Sequence, residues 1–263
     1  RPPRSTLFPY TTLFRSWQPM QHHAPSHKVR DPAKIARMRR ILRKYIPPGL
    51  IHHIRDAADQ ELDFIPNREA TLTFLFADLV SFTSWAENRT PDETVHMLNL
   101  SIGATSSVIL HWGGHVNKFM GDSLFATFED PVRAVGAGIE MQKQFQILNL
   151  IGMKDSSSEI RVRIGIHTGP CILASIGTDD FMDFTAIGDS VNIASRLEKS
   201  CRPGAVIVSK STVGLMEDQI LISHPITVEA KGKSAPLDAW YVDRIRYTGP
   251  RGTIETGLDD ELF

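Results

Sequence analysis

The placing of apolar and polar residues along this chain marks out its elements before any chemistry is considered. Residues 71–77 (TLTFLFA) form a short, apolar, β-rich run, the pattern of a buried strand. Residues 91–112 keep a helical period, with Pro91 in the first turn and Gly113-Gly114 as the stop. Residues 115–119 and 124–128 are two strands flanking Met120, Gly121, Asp122 and Ser123, a tetrapeptide suited to a hairpin. A second long helix follows over 131–150, then a polar loop at 155–159. Residues 160–167 alternate apolar with charged side chains, the mark of a half-buried strand, and 172–176 either pairs with it or extends it. Further on, the pattern predicts a strand at 181–185, a helix at 190–199, a strand at 205–208, a short helix at 212–217 and late strands at 226–228 and 238–242. Residues 247–263 are rich in glycine and acid and read as a flexible tail.

The core order is therefore β-α-β-β-α-β. That predicts an α+β fold, an α/β sandwich with a ferredoxin-like core and helices on one face of an antiparallel sheet. This architecture hosts many chemistries, so function has to come from particular residues.

Upstream, residues 32–45 form a basic helical segment. Ile35, Met38, Ile41 and Leu42 fall at helical spacing among Arg37, Arg39, Arg40, Arg43 and Lys44, and Pro47-Pro48 ends the run. The basic face reads as solvated, and a short helix follows over 49–58. Residues 6–16 (TLFPYTTLFRS) resemble a translated sequencing-library adapter, so 1–16 are set aside. The expected organisation is a linker and basic helical segment over 17–68, leading from a missing upstream regulatory domain, and a compact domain over 69–246.

Composition narrows the classes. The 263 residues are 41% hydrophobic and 22% charged, ordinary for a globular protein. The net charge of −1 gives no reason to expect nucleic acid as a partner. The two cysteines, Cys171 and Cys201, make neither a disulfide framework nor a zinc site. No apolar run approaches the roughly 20 residues that span a bilayer, so a cytoplasmic catalytic segment is expected, with membrane attachment of a longer parent left open.

Two constellations could carry chemistry. Asp78 follows an apolar strand and Asp122 sits in the next hairpin, so the β-α-β-β order lets the two carboxylates converge at one sheet edge. Paired carboxylates there suit two hard cations on a triphosphate. Taken singly, each Asp is an ordinary turn residue. Residues 79–83 lead toward the first long helix, where backbone amides near Phe82 and Thr83 could cradle phosphate. Asn192 and Arg196 are four apart on a helix and share a face, an amide and a guanidinium suited to a ribose and a phosphate.

Read together, FADLVSFT (76–83), NKFMGDSLFATF (117–128), RIGIHTGP (163–170) and FTAIGDSVNIASRLE (184–198) occur in one order. In this respect the chain resembles the class III adenylate and guanylate cyclase family, over about 68–242. The resemblance implies the class III nucleotidyl cyclase fold and a set of roles. Asp78 and Asp122 match the metal-binding aspartates, which implies two divalent cations, Mg²⁺ or Mn²⁺. Lys118 matches the lysine that reads adenine. Thr185 matches the second base-reading position, an Asp in many animal enzymes and a Thr in a cyanobacterial-like subgroup. Asn192 matches the ribose-orienting residue and Arg196 the arginine that stabilises charge on the α-phosphate. Arg163 and Lys231 match positions at the terminal phosphates, with Lys233 a further candidate in the same turn.

Lys118 can only donate, which suits adenine N1, and the Thr185 hydroxyl can accept from the 6-amino group. Guanine reverses this edge, and the family's guanylate cyclases tend to carry Glu and Cys at these positions. The expected activity is therefore conversion of ATP to 3′,5′-cyclic AMP and pyrophosphate, in intracellular signalling. The family builds its site from two head-to-tail domains, which implies a homodimer here. The alternatives are a guanylate or mixed-specificity cyclase and a catalytically silent nucleotide-binding domain. A diguanylate cyclase lacks support because the GGDEF hairpin is absent.

Overall fold

Strand β1 (Arg68–Leu79) is buried on both faces from Thr73 to Ala77, which explains its continuous apolar run in place of an alternation. The computed structural model describes residues 31–152, 159–179, 181–216, 219–228, 236–249 and 252–258. On one side of β1 lies β3 (Ser123–Phe128), with β2 (His115–Met120) beyond it; on the other lies β4 (Val162–Thr178). The order β2-β3-β1-β4 is the predicted ferredoxin-like core. The sheet continues through β6 (Ala205–Ser209), β8 (Leu237–Gly249) and β7 (Ile220–Val228). Strand β5 (Phe181–Ile187) pairs with the distal part of β4, and β9 (Gly252–Gly257) with β8. Among the described pairings only β4–β6 is parallel.

Residues 162–178 form one strand, so 172–176 extends its predecessor, and it pairs with β5 in turn. Helix α4 (Pro91–His111) starts on a capping box: Thr90 Oγ1 accepts from the Glu93 amide, and Glu93 accepts from the Thr90 amide at 2.8 Å. It packs with α5 (Pro131–Gly152) on one sheet face, around Leu75, Ile109, Phe128, Ile139, Phe145, Ile164 and Ile166.

The two helices of the βαββαβ core, α4 and α5, thus share one face as expected, and a further helix lies outside that order. Helix α6 (Asp189–Ser200) covers the opposite face, where Ala194 joins Phe74, Phe76, Phe125, Leu173 and Ala186. Gly165 makes the approach possible: a Cβ there would overlap the backbone nitrogen of Glu198 and stand 2.7 Å from the Ala194 carbonyl.

Two boundaries also differ from expectation. The chain divides into units 1–42 and 43–263, so residues 43–68 belong to the compact unit rather than to a linker. Within that unit α2 (Pro48–Asp59) buries Ala57 and sets the His53 ring 4.9 Å from Phe184. Of the segment expected as a tail from 247, residues 247–249 and 252–258 lie in or beside strands. Strand β8 runs to Gly249 and pairs with β9, Tyr247 accepts from Arg133 Nε at 2.9 Å, and Tyr247 and Leu258 pack on the core. The predicted helix at 212–217 is the shorter α7 (Lys210–Val213). Helix α1 (Pro32–Tyr45) has the predicted bounds and leaves Met38, Ile41 and Leu42 half-exposed. No helix among the described residues is long and apolar enough to cross a membrane.

Candidate active site

In the sheet register Asp78 stands between Ser123 of β3 and Arg163 of β4. Ser123 Oγ donates to Asp78 Oδ1, and Arg163 Nη2 donates to Asp78 Oδ2. Gly121 turns the hairpin with φ 67°, a value an L side chain adopts only with strain, and so places Asp122 beside Ser123. Asp78 and Asp122 both line a cavity of about 20 Å³, closed by Leu98, Ser101, Ile102 and Thr105 of α4. Burial raises the Asp122 pKa, the negative charge of Asp78 adds to the rise, and Arg163 opposes it. A bound cation would relieve the charge that Asp78 sets against Asp122.

Among the described residues no cluster of three or more His, Cys, Asp or Glu side chains forms a closed metal cage. The donor set is two hard carboxylates at an edge, which fits cations that keep several waters and complete their shell with phosphate oxygens.

Arg163, which matches a phosphate-contacting position of the family, is paired with protein carboxylates in this structure. It is engaged by Asp78 and lies 3.4 Å from Glu198 Oε1 of α6. The Glu198 side chain is only 6% exposed. Burial pushes its carboxyl up to about 7, with Asp78 adding to the rise and Arg163 opposing it.

The remaining predicted residues are spread over β2, β5, α6 and the turn after β1. Lys118 on β2 reaches Asp183 on β5, Nζ to Oδ2 2.6 Å. Thr185 lies two residues along the same ribbon and hence on the Asp183 face, while Phe184 and Ala186 turn inward toward Phe76 and Phe125. Asn192 and Arg196 share one face of α6; Asn192 is exposed, and Arg196 is half-buried with its Nη1 buried and without a hydrogen-bond partner. Phe82 and Thr83 open the short helix α3 (Phe82–Ala86), where first-turn amides have no intrahelical acceptor. Phe82 also stacks on Trp85 at 5.7 Å. Lys231 and Lys233 lie outside the described residues.

The structure thus joins Asp78, Asp122 and Arg163. Among the described residues no hydrogen bond or ion pair links these three to Lys118, Thr185, Asn192 or Arg196. Sequence reasoning missed Ser123, Asp183 and Glu198. Glu198 had a signal in Gly165, since a glycine within a strand marks a close backbone neighbour. Beyond these groups, the β4–β5 ribbon leaves Ile172, Ile176, Phe181, Met182 and Ile187 between 43% and 76% exposed.

The chain matches the model of the adenylate and guanylate cyclase catalytic domain over residues 65–243. Adenylate cyclase 1 of Rhizobium meliloti (strain 1021) is 32% identical over 180 residues, 65% of this chain and 27% of that protein. Retinal guanylyl cyclase 1 of Homo sapiens is 26% identical over 220 residues, 80% of this chain and 20% of that protein. The chain thus spans only about a quarter of these relatives' length. Among solved structures, the adenylyl cyclase CyaB of P. aeruginosa superposes with a TM-score of 0.64 at 31% identity, covering 67% of this chain and 95% of that one. The guanylyl cyclase Cya2 superposes with a TM-score of 0.63 at 30% identity, covering 68% and 94%. Relatives named for either nucleotide are similar to this chain, so base choice has to be argued from the residues at the purine edge.

Proposed function

The chain belongs to the adenylate and guanylate cyclase catalytic domain family, and on that footing we propose that it is an adenylate cyclase, making 3′,5′-cyclic AMP and pyrophosphate from ATP. The observation that carries the choice of ATP is the donor-only Lys118 set beside the β5 ribbon that bears the Thr185 hydroxyl. Lys118 donates to adenine N1, and Thr185 accepts from the 6-amino group. Guanine would set its own N1–H against the Lys118 ammonium.

The reaction is an in-line displacement. The ribose 3′-oxygen forms a bond to the α-phosphorus, the bond from that phosphorus to the bridging oxygen breaks, and pyrophosphate leaves. Asp78 and Asp122 would hold two divalent cations, Mg²⁺ or Mn²⁺, which supply charge neutralisation at the phosphates and a more acidic 3′-hydroxyl. Asn192 orients the ribose and Arg196 faces the charge that grows on the α-phosphate. Arg163, the Phe82–Thr83 turn and the lysines Lys231 and Lys233 receive the terminal phosphates.

Among the described residues no hydrogen bond or ion pair joins Asp78 and Asp122 to Lys118, Thr185, Asn192 or Arg196, as would hold for a site shared between two copies of the chain. One copy gives Asp78 and Asp122, its partner gives Lys118, Thr185, Asn192 and Arg196, and the exposed apolar β4–β5 ribbon offers a surface for the second copy. Turnover of ATP and GTP in parallel, with Mg²⁺ or Mn²⁺, tests the proposal. Cyclic AMP as the main product is the expected result. A preference for GTP would make the chain a guanylate cyclase, and binding without turnover would make it a silent domain.

A further inference from the structure

Six of the 14 residues of α1 are basic, Lys34, Arg37, Arg39, Arg40, Arg43 and Lys44, and none is acidic, in a chain whose net charge is −1. At about 100° per residue, all of these but Lys34 take one side of the helix, and Ile35, Met38, Ile41, Leu42 and Tyr45 fill an arc of about 120° on the other. Arg37 and Arg39 stand at the two edges of that arc. None of the helix is buried, and Met38, Ile41, Leu42 and Tyr45 are between 50% and 81% exposed. The basic face reads as solvated from the sequence; in the structure the apolar stripe faces water as well, which is unfavourable for every side chain left uncovered.

We propose that α1 is a membrane-surface helix, which seats its apolar arc among the acyl chains of an anionic bilayer and its cations on the lipid phosphates. A second copy of α1 is a poor cover for the stripe. With Ile35, Met38, Leu42 and Tyr45 as the seam of a coiled coil, Lys34 and Arg39 fall at the positions that face each other across it, and both are cationic. The cover has to be apolar beneath the arc and anionic along both edges, which is the profile of an anionic lipid surface. Arg37 and Arg39 straddle that boundary, with stems that lie along apolar surface while the guanidinium groups reach the headgroups. Tyr45 has an apolar ring and a polar tip, suited to the same level. At about 1.5 Å per residue the helix is about 21 Å long, too short to cross a hydrocarbon core of roughly 30 Å and suited to lie in its plane. The inference is independent of the nucleotide that the catalytic site takes.

The test is co-sedimentation of the whole chain with vesicles of phosphatidylcholine alone and of phosphatidylcholine mixed with phosphatidylserine. Binding to the mixed vesicles only is the expected result. It should weaken as salt rises from about 0.1 M to about 1 M, where the screening length falls from about 10 Å to about 3 Å. Arg40→Gln combined with Arg43→Gln should lower the partition coefficient about 25-fold, about fivefold for each cation. Met38→Ser combined with Leu42→Ser should also abolish sedimentation, since charge alone does not seat the helix. Neither pair should alter nucleotide turnover in solution or the thermal midpoint, because α1 buries none of its side chains. Failure to bind the mixed vesicles would overturn the proposal and leave an acidic protein groove as the cover. Equal binding to both kinds of vesicle would overturn it too, as would binding that either pair of substitutions leaves intact, since another surface would then hold the lipid. Loss of self-association by the Met38→Ser, Leu42→Ser variant without vesicles would give the stripe to a second copy, against the proposal.

Discussion

Arg163 is shared between two carboxylates of different character. Asp78 lies at the cavity it forms with Asp122, whereas Glu198 is sealed under α6. A carboxyl held at about 7 in the fold, against its ordinary 4.5, takes up a proton on folding between those values. Stability of the metal-free protein therefore falls as pH rises from about 4.5 to about 7, and levels off above that. Glu198→Gln should remove this slope. Thermal midpoints measured in chelator should show the variant gaining on the parent between about pH 5 and about pH 8; a constant difference would refute the assignment. At this scale the sequence was informative for residues embedded in long motifs and silent for their partners. Asp78, Asp122 and Lys118 could be picked out by their surroundings in the chain. Asp183 could not, because what distinguishes it is a lysine on another element. Arg163 was found, but not its pairing with Asp78 and Glu198, since contacts across two strands and a helix have no local signature.

At the scale of elements, the period of apolar residues located the long helices and most strands, because each has a wide apolar face to bury. It misjudged the end of the chain. There β8 and β9 are held by Tyr247 and Leu258 rather than by a long apolar run, and a short alternation among polar residues looks like a tail. It marked β1 as a buried strand, and apolar side chains on both faces of that strand oblige α6 to cover the second. The seam between α6 and β4 depends on Gly165. Gly165→Ala drives a methyl group into the Glu198 backbone, which cannot swing aside as a side chain would. A loss of about 3 kcal/mol, at the upper end for overpacking, is expected in denaturant unfolding. A loss well under 1 kcal/mol would mean the helix sits farther from the sheet. Since α6 also bears Asn192 and Arg196, the variant that still folds should lose turnover out of proportion to stability.

For the whole molecule, the proposed sharing of each site between two copies makes a sharp forecast. Asp78→Asn and Arg196→Ala should each lower turnover by about 100-fold or more, as loss of a main charge-stabilising group does. Mixed in equal amounts and allowed to exchange, they should recover about a quarter of the parent activity. Half the dimers are then mixed, and each mixed dimer carries one site with both residues intact. No recovery in a preparation shown to exchange subunits would place both groups in the same site of one chain.

Strand β4 gives this assembly a mechanical property. A partner strand lies against it at every residue from Val162 to Thr178, β1 along the first part and β5 along the rest. Its 17 residues make a rail roughly 55 Å in contour, at about 3.3 Å for each residue. Arg163 rides near one end, and Ile176, with its exposed side chain, near the other. No loop interrupts the rail to soak up a displacement. In the proposed homodimer the exposed end of the ribbon and the Arg163–Asp78 pair would thus be the two ends of a single strand.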